Sequence, residues 1–340
     1  MKSYVEISKS NNEKIEIINF LKGFSILTIT IMHVMYFMTD IPSKISTLSS
    51  IGGSGVHVFF VCSGIGLYMS YMKQKITYIT FLKKKFIKIY IPYIIVILIS
   101  FAIPGLYRES DKIIALMSHI FLFKMFVPKY EDSFGIQFWY ISTLIQLYLL
   151  FIPMCKLKSK LNNKLFCSIF LVISIMWWIL CYYNNLSNIR VWGSFCLQYI
   201  WEFALGFVVA EKLYEKKEYK IKNYILIFLA IIGIGIQAST AIYSERLKIF
   251  NDIPALIGYS SLALALSNIT IIKKICSKLS MFSYEYYLLH MLVFYLVFTI
   301  TNPNGILYQT IIALIAMIMS IIISYFYHKI IVKLMKHKRT

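Results

Sequence analysis

Lys22 and His33 stand eleven positions apart in the stretch 15–38, IEIINFLKGFSILTITIMHVMYFM, which is apolar enough to lie in a lipid bilayer. An ionisable side chain at membrane depth costs a few kcal/mol or more, so its presence there is a functional signal. At about 100° per residue, eleven positions return the two side chains to within roughly 20° of each other, and at about 1.5 Å per residue they lie about 16 Å apart along the axis. One helix face therefore carries a cation suited to an anionic group and an imidazole suited to general-base chemistry near neutral pH.

Other ionisable or small residues could join them. The segment Gly52–Met69, GGSGVHVFFVCSGIGLYM, holds His57 and Ser63; Glu202 and His290 lie in later apolar stretches. Counting along the spans puts His33 and His57 roughly 9 Å above the midplane. Ser63, Glu202 and His290 fall near the middle, so one serine, one glutamate and up to three histidines are placed to converge on a polar cavity. For each histidine the alternative is a helix–helix hydrogen bond, and for His57 a seat at the membrane interface. Gly52, Gly53, Gly55, Gly64 and Gly66 fit either close helix packing, the expectation for Gly64 and Gly66, or approach of the backbone to a ligand. Lys85 and Lys88, three apart in FLKKKFIKIYIPY (81–93), share a helical face. They serve either as positive-inside anchors or as a seat for a phosphorylated donor. Trp139, with Tyr140, Trp177, Trp178 and Trp192, clusters near the expected interfaces, where aromatic belts are ordinary.

The elements that must position these residues are membrane helices. The chain has 340 residues, 59% of them hydrophobic and 15% charged, with a mean hydropathy of +0.70. A soluble chain carries about a quarter charged residues. The net charge of +20 resides between apolar segments, and no long hydrophilic stretch exists to form a nucleic-acid surface. Nucleic acid is not an expected partner; the lipid bilayer is. The six cysteines (Cys62, Cys155, Cys167, Cys181, Cys196, Cys276) have no CxxC spacing and read as small apolar fillers. No metal site, cleavable signal or lipidation signature is expected.

With about 20 apolar residues needed per crossing, ten spans are expected: 15–38, 54–72, 89–107, 134–155, 165–183, 191–211, 223–243, 253–271, 281–300 and 306–330. The segment 113–128, with His119 and Lys124, reads as an interfacial or re-entrant helix. Lysines gather in alternate loops: Lys73 to Lys88, Lys156 to Lys164, Lys212 to Lys222, Lys273 to Lys278, and Lys329 to Arg339. The opposite loops are nearly balanced, as in Arg108, Glu109, Asp111 and Lys112. The positive-inside rule then puts both termini in the cytoplasm. The expected fold is an all-α polytopic bundle of about ten transmembrane helices, with residues 1–340 as a single integral-membrane domain and no fused soluble domain. No internal repeat of the kind found in many secondary transporters is visible.

Six segments in order resemble the acyltransferase 3 family of integral-membrane acyltransferases: NFLKGFSILTITIMH (19–33), GVHVFFVCSG (55–64), KKFIKIYIPY (84–93), FWYISTLIQLYLLFIP (138–153), WEFALGFVVAEKL (201–213) and FSYEYYLLHMLVF (282–294). The likeness covers essentially the whole chain. It also has departures. Lys22, Lys85 and Lys88 stand where the family usually has arginine, keeping charge but losing the bidentate fork. His57 replaces a common acid, and Leu144 stands where many members have glutamate.

The resemblance implies transfer of an acyl group, most often acetyl from acetyl-CoA, to a hydroxyl of a carbohydrate or lipid-linked sugar at a bacterial plasma or inner membrane, alongside polysaccharide-assembly proteins. On that reading His33 is the base or transient acyl carrier, and His290 orients the thioester or stabilises the oxyanion. Lys22, Lys85 and Lys88 hold the donor, while His57, Ser63 and Trp139 meet the acceptor. The rival reading is a transporter or flippase for an anionic or saccharide solute, without acyl transfer.

Overall fold

The computed structural model describes residues 4–7, 11–107, 110–215 and 219–337. Arg108, Glu109, Lys216, Lys217, Lys338 and Arg339, which entered the reading of loop charge, lie outside the described residues. The described chain is almost wholly helical. It runs α1 Asn11–Tyr36, α2 Ser43–Ser49, α3 Gly55–Lys73, α4 Tyr78–Ala102 and α5 Lys112–Ile120. It continues α6 Trp139–Lys158, α7 Asn163–Tyr183, α8 Arg190–Gly193, α9 Cys196–Tyr214 and α10 Asn223–Tyr243. It ends α11 Asp252–Leu266, α12 Thr270–Ser280, α13 Ser283–Thr301 and α14 Ile306–His337.

Nine of the described helices are long and apolar enough to cross a membrane, and there are ten candidate spans if the bent pair α11–α12 counts as one. The expected span 253–271 departs from that pattern. Its helix α11 has 15 residues, about 22 Å at 1.5 Å per residue, and the chain then bends by 118° into α12. Asn268, at the bend, donates to Asn223 Oδ1 at 3.0 Å and to the Tyr4 carbonyl at 3.5 Å. The short helix therefore returns the chain to the end of the bundle where α10 begins. The run 81–93 is helical as expected, in a helix that begins earlier than the expected span boundary. Thr77 caps the helix by accepting from Thr80 N, so α4 starts well before residue 89 and carries Lys85 and Lys88 within its first half. The segment 113–128 forms the short α5 followed by tight turns.

The beginning of the chain is held at the same end. Strand β1, Tyr4–Ile7, pairs antiparallel with β2, Tyr219–Lys222, with Tyr4 opposite Lys222. Buried Lys14 donates to the carbonyls of Leu213 and Glu215 at 2.6 and 2.7 Å, placing a cation at the carbonyl end of α9, where the helix dipole favours it. The end of α14 comes back beside the start of α13 through His328 and Glu285, 3.1 Å apart.

Between helices in lipid the drive to associate is close packing, which small residues permit. A Cβ at Gly64 would sit 2.3 Å from the Phe203 carbonyl, and one at Gly206 would sit 2.5 Å from that of Val61; α3 and α9 thus meet backbone to backbone. Gly23 does the same for α1 against Cys276 of α12. Gly66, expected to pack likewise, has nothing within 4 Å of a built Cβ. Helix α13 is the central post, buried along most of its length, whereas α7, α10 and α14 keep large apolar side chains such as Met176, Phe228 and Leu307 on the outside, as lipid-facing helices do.

Candidate active site

A cavity of about 810 Å³ runs through the bundle between α1, α3, α4, α6, α13 and α14. One end is lined by Lys22, Lys88, Glu285 and His328, the other by Ser46, Ser49, Trp139 and Arg190. Val56, Phe59 and Leu144 make the stretch between them apolar, and Ser63 and Tyr140 interrupt it with hydroxyls. Lys22 and His33 both line this cavity, as their shared helix face requires. Neither Lys22 nor Lys88 has an ion-pair partner among the described residues.

His33 sits on the wall, and behind it, fully buried on α13, is His290. His33 Nδ1 lies 2.7 Å from His290 Nε2, with the two rings stacked at 5.0 Å between centroids. His290 Nδ1 lies 3.0 Å from the Tyr286 carbonyl. A carbonyl only accepts, so His290 must carry its proton on Nδ1 and offer Nε2 as an acceptor. His33 must then donate from Nδ1, which leaves its own Nε2 as a lone pair. Two hydrogen bonds thus fix the tautomer of the histidine on the cavity wall.

The structure does not bring every expected residue here. Lys85 is near Phe81, with Nζ 5.9 Å from the ring centroid, and is not on the cavity wall. His57 turns to the opposite side of α3, where Nδ1 meets Glu202 Oε1 at 2.7 Å. The expected convergence of three histidines, a serine and a glutamate is therefore divided: His33, backed by His290, and Ser63 at the cavity, and His57 with Glu202 in a separate buried cluster. His290 itself is fully buried and does not line the cavity.

Two cavity residues escaped the reading of the sequence. Arg190, in the short α8, holds its guanidinium 6.0 Å from the Trp139 ring centroid. Its signal was modest: a single cation in the loop NNLSNIRVWGS. Gln137 is buried on the wall with Oε1 lacking a hydrogen-bond partner among the described residues, and its carbonyl accepts from the Tyr287 hydroxyl.

Gln137 and Trp139 are presented by the turns after α5, and buried polar side chains organise those turns. Lys124 Nζ donates to the carbonyls of Ser133 and Gly135 at 3.2 and 3.0 Å. His119 Nε2 donates to the Ser133 carbonyl at 2.9 Å, and its Nδ1 accepts from the Tyr93 hydroxyl at 2.6 Å. Burial pushes Lys124 down to about 7, with Asp132 opposing the shift and Arg190 adding to it. Burial, reinforced by Lys124, also holds His119 well below the ordinary imidazole range.

The profile of one protein family, described as an acyltransferase domain, matches residues 15–328. No curated protein and no solved structure matches the chain.

Proposed function

The chain belongs to this acyltransferase 3 family and is a membrane acyltransferase, and from that premise we propose that it moves an acetyl group from acetyl-CoA, bound at the lysine end of the cavity, to a carbohydrate hydroxyl presented at the arginine end. The observation that carries this reading is the hydrogen-bond chain from the Tyr286 carbonyl through His290 to His33, which leaves a basic nitrogen on the wall of a cavity with lysines at one mouth and an arginine at the other.

The donor's phosphates meet Lys22 and Lys88, which act as point charges where arginine would have offered a fork. Lys22 and His33 are about 16 Å apart along the helix, a separation that an extended pantetheine arm bridges. The thioester then lies beside His33, and the apolar wall at Leu144 accommodates the acyl group. His33 Nε2 accepts the proton of the acceptor hydroxyl as its oxygen attacks the thioester carbon. The carbon–oxygen bond forms, the carbon–sulfur bond breaks, and the proton passes from His33 to the departing thiolate. His290 touches neither substrate; it orients His33 and disperses the positive charge of the transient imidazolium. Ser63 and Trp139 face the acceptor. His57, in a cluster off the cavity, takes no part, and Lys85, behind the lysine mouth rather than on its wall, adds positive charge there without touching the donor.

The lysine-rich end faces the cytoplasm on this reading, by the positive-inside rule, so both termini are cytoplasmic and the donor comes from inside the cell. The setting is a bacterial cell membrane, the acceptor a surface or lipid-linked carbohydrate and the neighbours polysaccharide-assembly proteins. The test is acetyl-CoA turnover by the purified chain in lipid vesicles with saccharide acceptors. Acceptor-dependent release of CoA, lost in His33→Ala, supports the enzyme. Solute uptake without CoA release supports a carrier instead.

A further inference from the structure

One buried cluster of ionisable side chains takes no part in acyl transfer. His57 of α3, Glu202 of α9 and Asp252 of the first turn of α11 present ligand atoms that all lie within 4.8 Å of one another. Glu202 is wholly enclosed and Asp252 is 5% exposed. Gln198 Nε2 donates to Asp252 Oδ2 at 2.8 Å and to the Ile249 carbonyl at 3.0 Å, which steers one carboxylate from outside the cluster. Glu202 Oε2 has no hydrogen-bond partner among the described residues. Neither carboxylate has a lysine or arginine within ion-pair distance among those residues.

The charge does not balance. Two carboxylates face one imidazole, so even a protonated His57 leaves one negative charge uncompensated in a dry interior, where an unpaired carboxylate is costly. A shared proton removes that charge but leaves Glu202 Oε2 without a partner. A divalent cation balances both carboxylates with His57 neutral and gives the orphaned oxygen a use. One nitrogen and two carboxylate donors suit a borderline first-row ion, and a donor outside the cluster that orients one ligand is the usual companion of a metal site. We propose that His57, Glu202 and Asp252 bind one divalent cation, Zn²⁺ or Mn²⁺, which pins α3, α9 and α11 together. The sequence has no metal-ligand spacing because each ligand comes from a different helix.

The test uses the full chain in detergent, stripped with a chelator, desalted, and titrated calorimetrically with Zn²⁺ or Mn²⁺ alone. The expected result is one saturable equivalent of at least one of the two ions, a raised thermal midpoint, and affinity lowered at least ten-fold in both Glu202→Gln and Asp252→Asn. His33→Ala, which removes no member of the cluster, binds the ion as the parent does. Absence of a saturable equivalent for both ions overturns the proposal, as does unchanged affinity in both monodisperse variants. If Glu202→Gln fails to fold, Asp252→Asn and the stoichiometry of the parent decide. The acyl-transfer reading survives either outcome, since none of the three ligands lines the cavity.

Discussion

Two histidines in the membrane make short contacts with a buried partner on another helix, and their surroundings differ in one respect. His33 pairs with a neutral His290 and borders the cavity; His57, itself partly exposed, pairs with the carboxylate of Glu202 in a cluster off that cavity. Both are costly residues at comparable distances from their partners. The difference teaches that an ionisable group inside a membrane signals chemistry only where substrates can reach it. A closed group signals a fixed joint between helices. Mutation at the open pair should therefore appear in turnover, and mutation in closed clusters should appear in stability or ion binding.

The sharpest way to break this comparison is His33→Ala. General-base catalysis contributes about 10²- to 10⁴-fold, so acceptor-dependent CoA release should fall about a thousand-fold, with the elution profile of the purified protein unchanged. Near-parental turnover would remove His33 as the base. His290→Ala comes next. Losing the orienting acceptor should lower kcat about a hundred-fold and displace the pH profile of kcat/KM, while His290→Gln, which can still accept from His33, recovers part of both. An effect confined to melting temperature would make His290 a packing residue. The comparison is sharpened by a smaller effect at the lysine mouth. Lys22→Ala and Lys88→Ala should each raise the KM for acetyl-CoA about ten-fold, more at low salt than at high salt, with kcat nearly preserved. Lys85→Ala, off the cavity, should change KM much less.

Much of this architecture was legible because it rests on local patterns. Hydropathy marks each span, and the eleven-residue interval of Lys22 and His33 fixes a common face whatever the neighbours do. Partners across helices have no such signature. His33 and His290 are 257 positions apart and His57 and Glu202 are 145 apart, and the order of helices around a bundle is set by where small residues let backbones meet. The break between α11 and α12 was also hidden. The stretch 253–271 is apolar on both sides of it, and only Ser267 and Asn268 hint at a turn. Gln137 has no periodic signal because the turns presenting it are irregular; its position depends on Lys124 and His119.

Lys124 gives the gentlest test of the comparison, because it is buried like Glu202 yet lies near the cavity. Its folded value of about 7 is below the ordinary 10.5, so between those two pH values the unfolded chain binds a proton that the folded chain does not. Stability should therefore rise with pH across that window and lose the gain as pH falls to about 7, below which both forms are protonated. His119, held neutral in the fold, extends the loss below pH 6.5. Thermal melting in detergent should show a midpoint several degrees higher at about pH 9.5 than at about pH 7. Lys124→Met should flatten that rise, whatever it does to the midpoint itself, and His33→Ala should leave the rise intact. If Lys124→Met keeps the slope, the titrating group lies elsewhere; if it instead abolishes turnover at all pH values with the slope unchanged, the turns after α5 belong with the open site rather than with the closed joints.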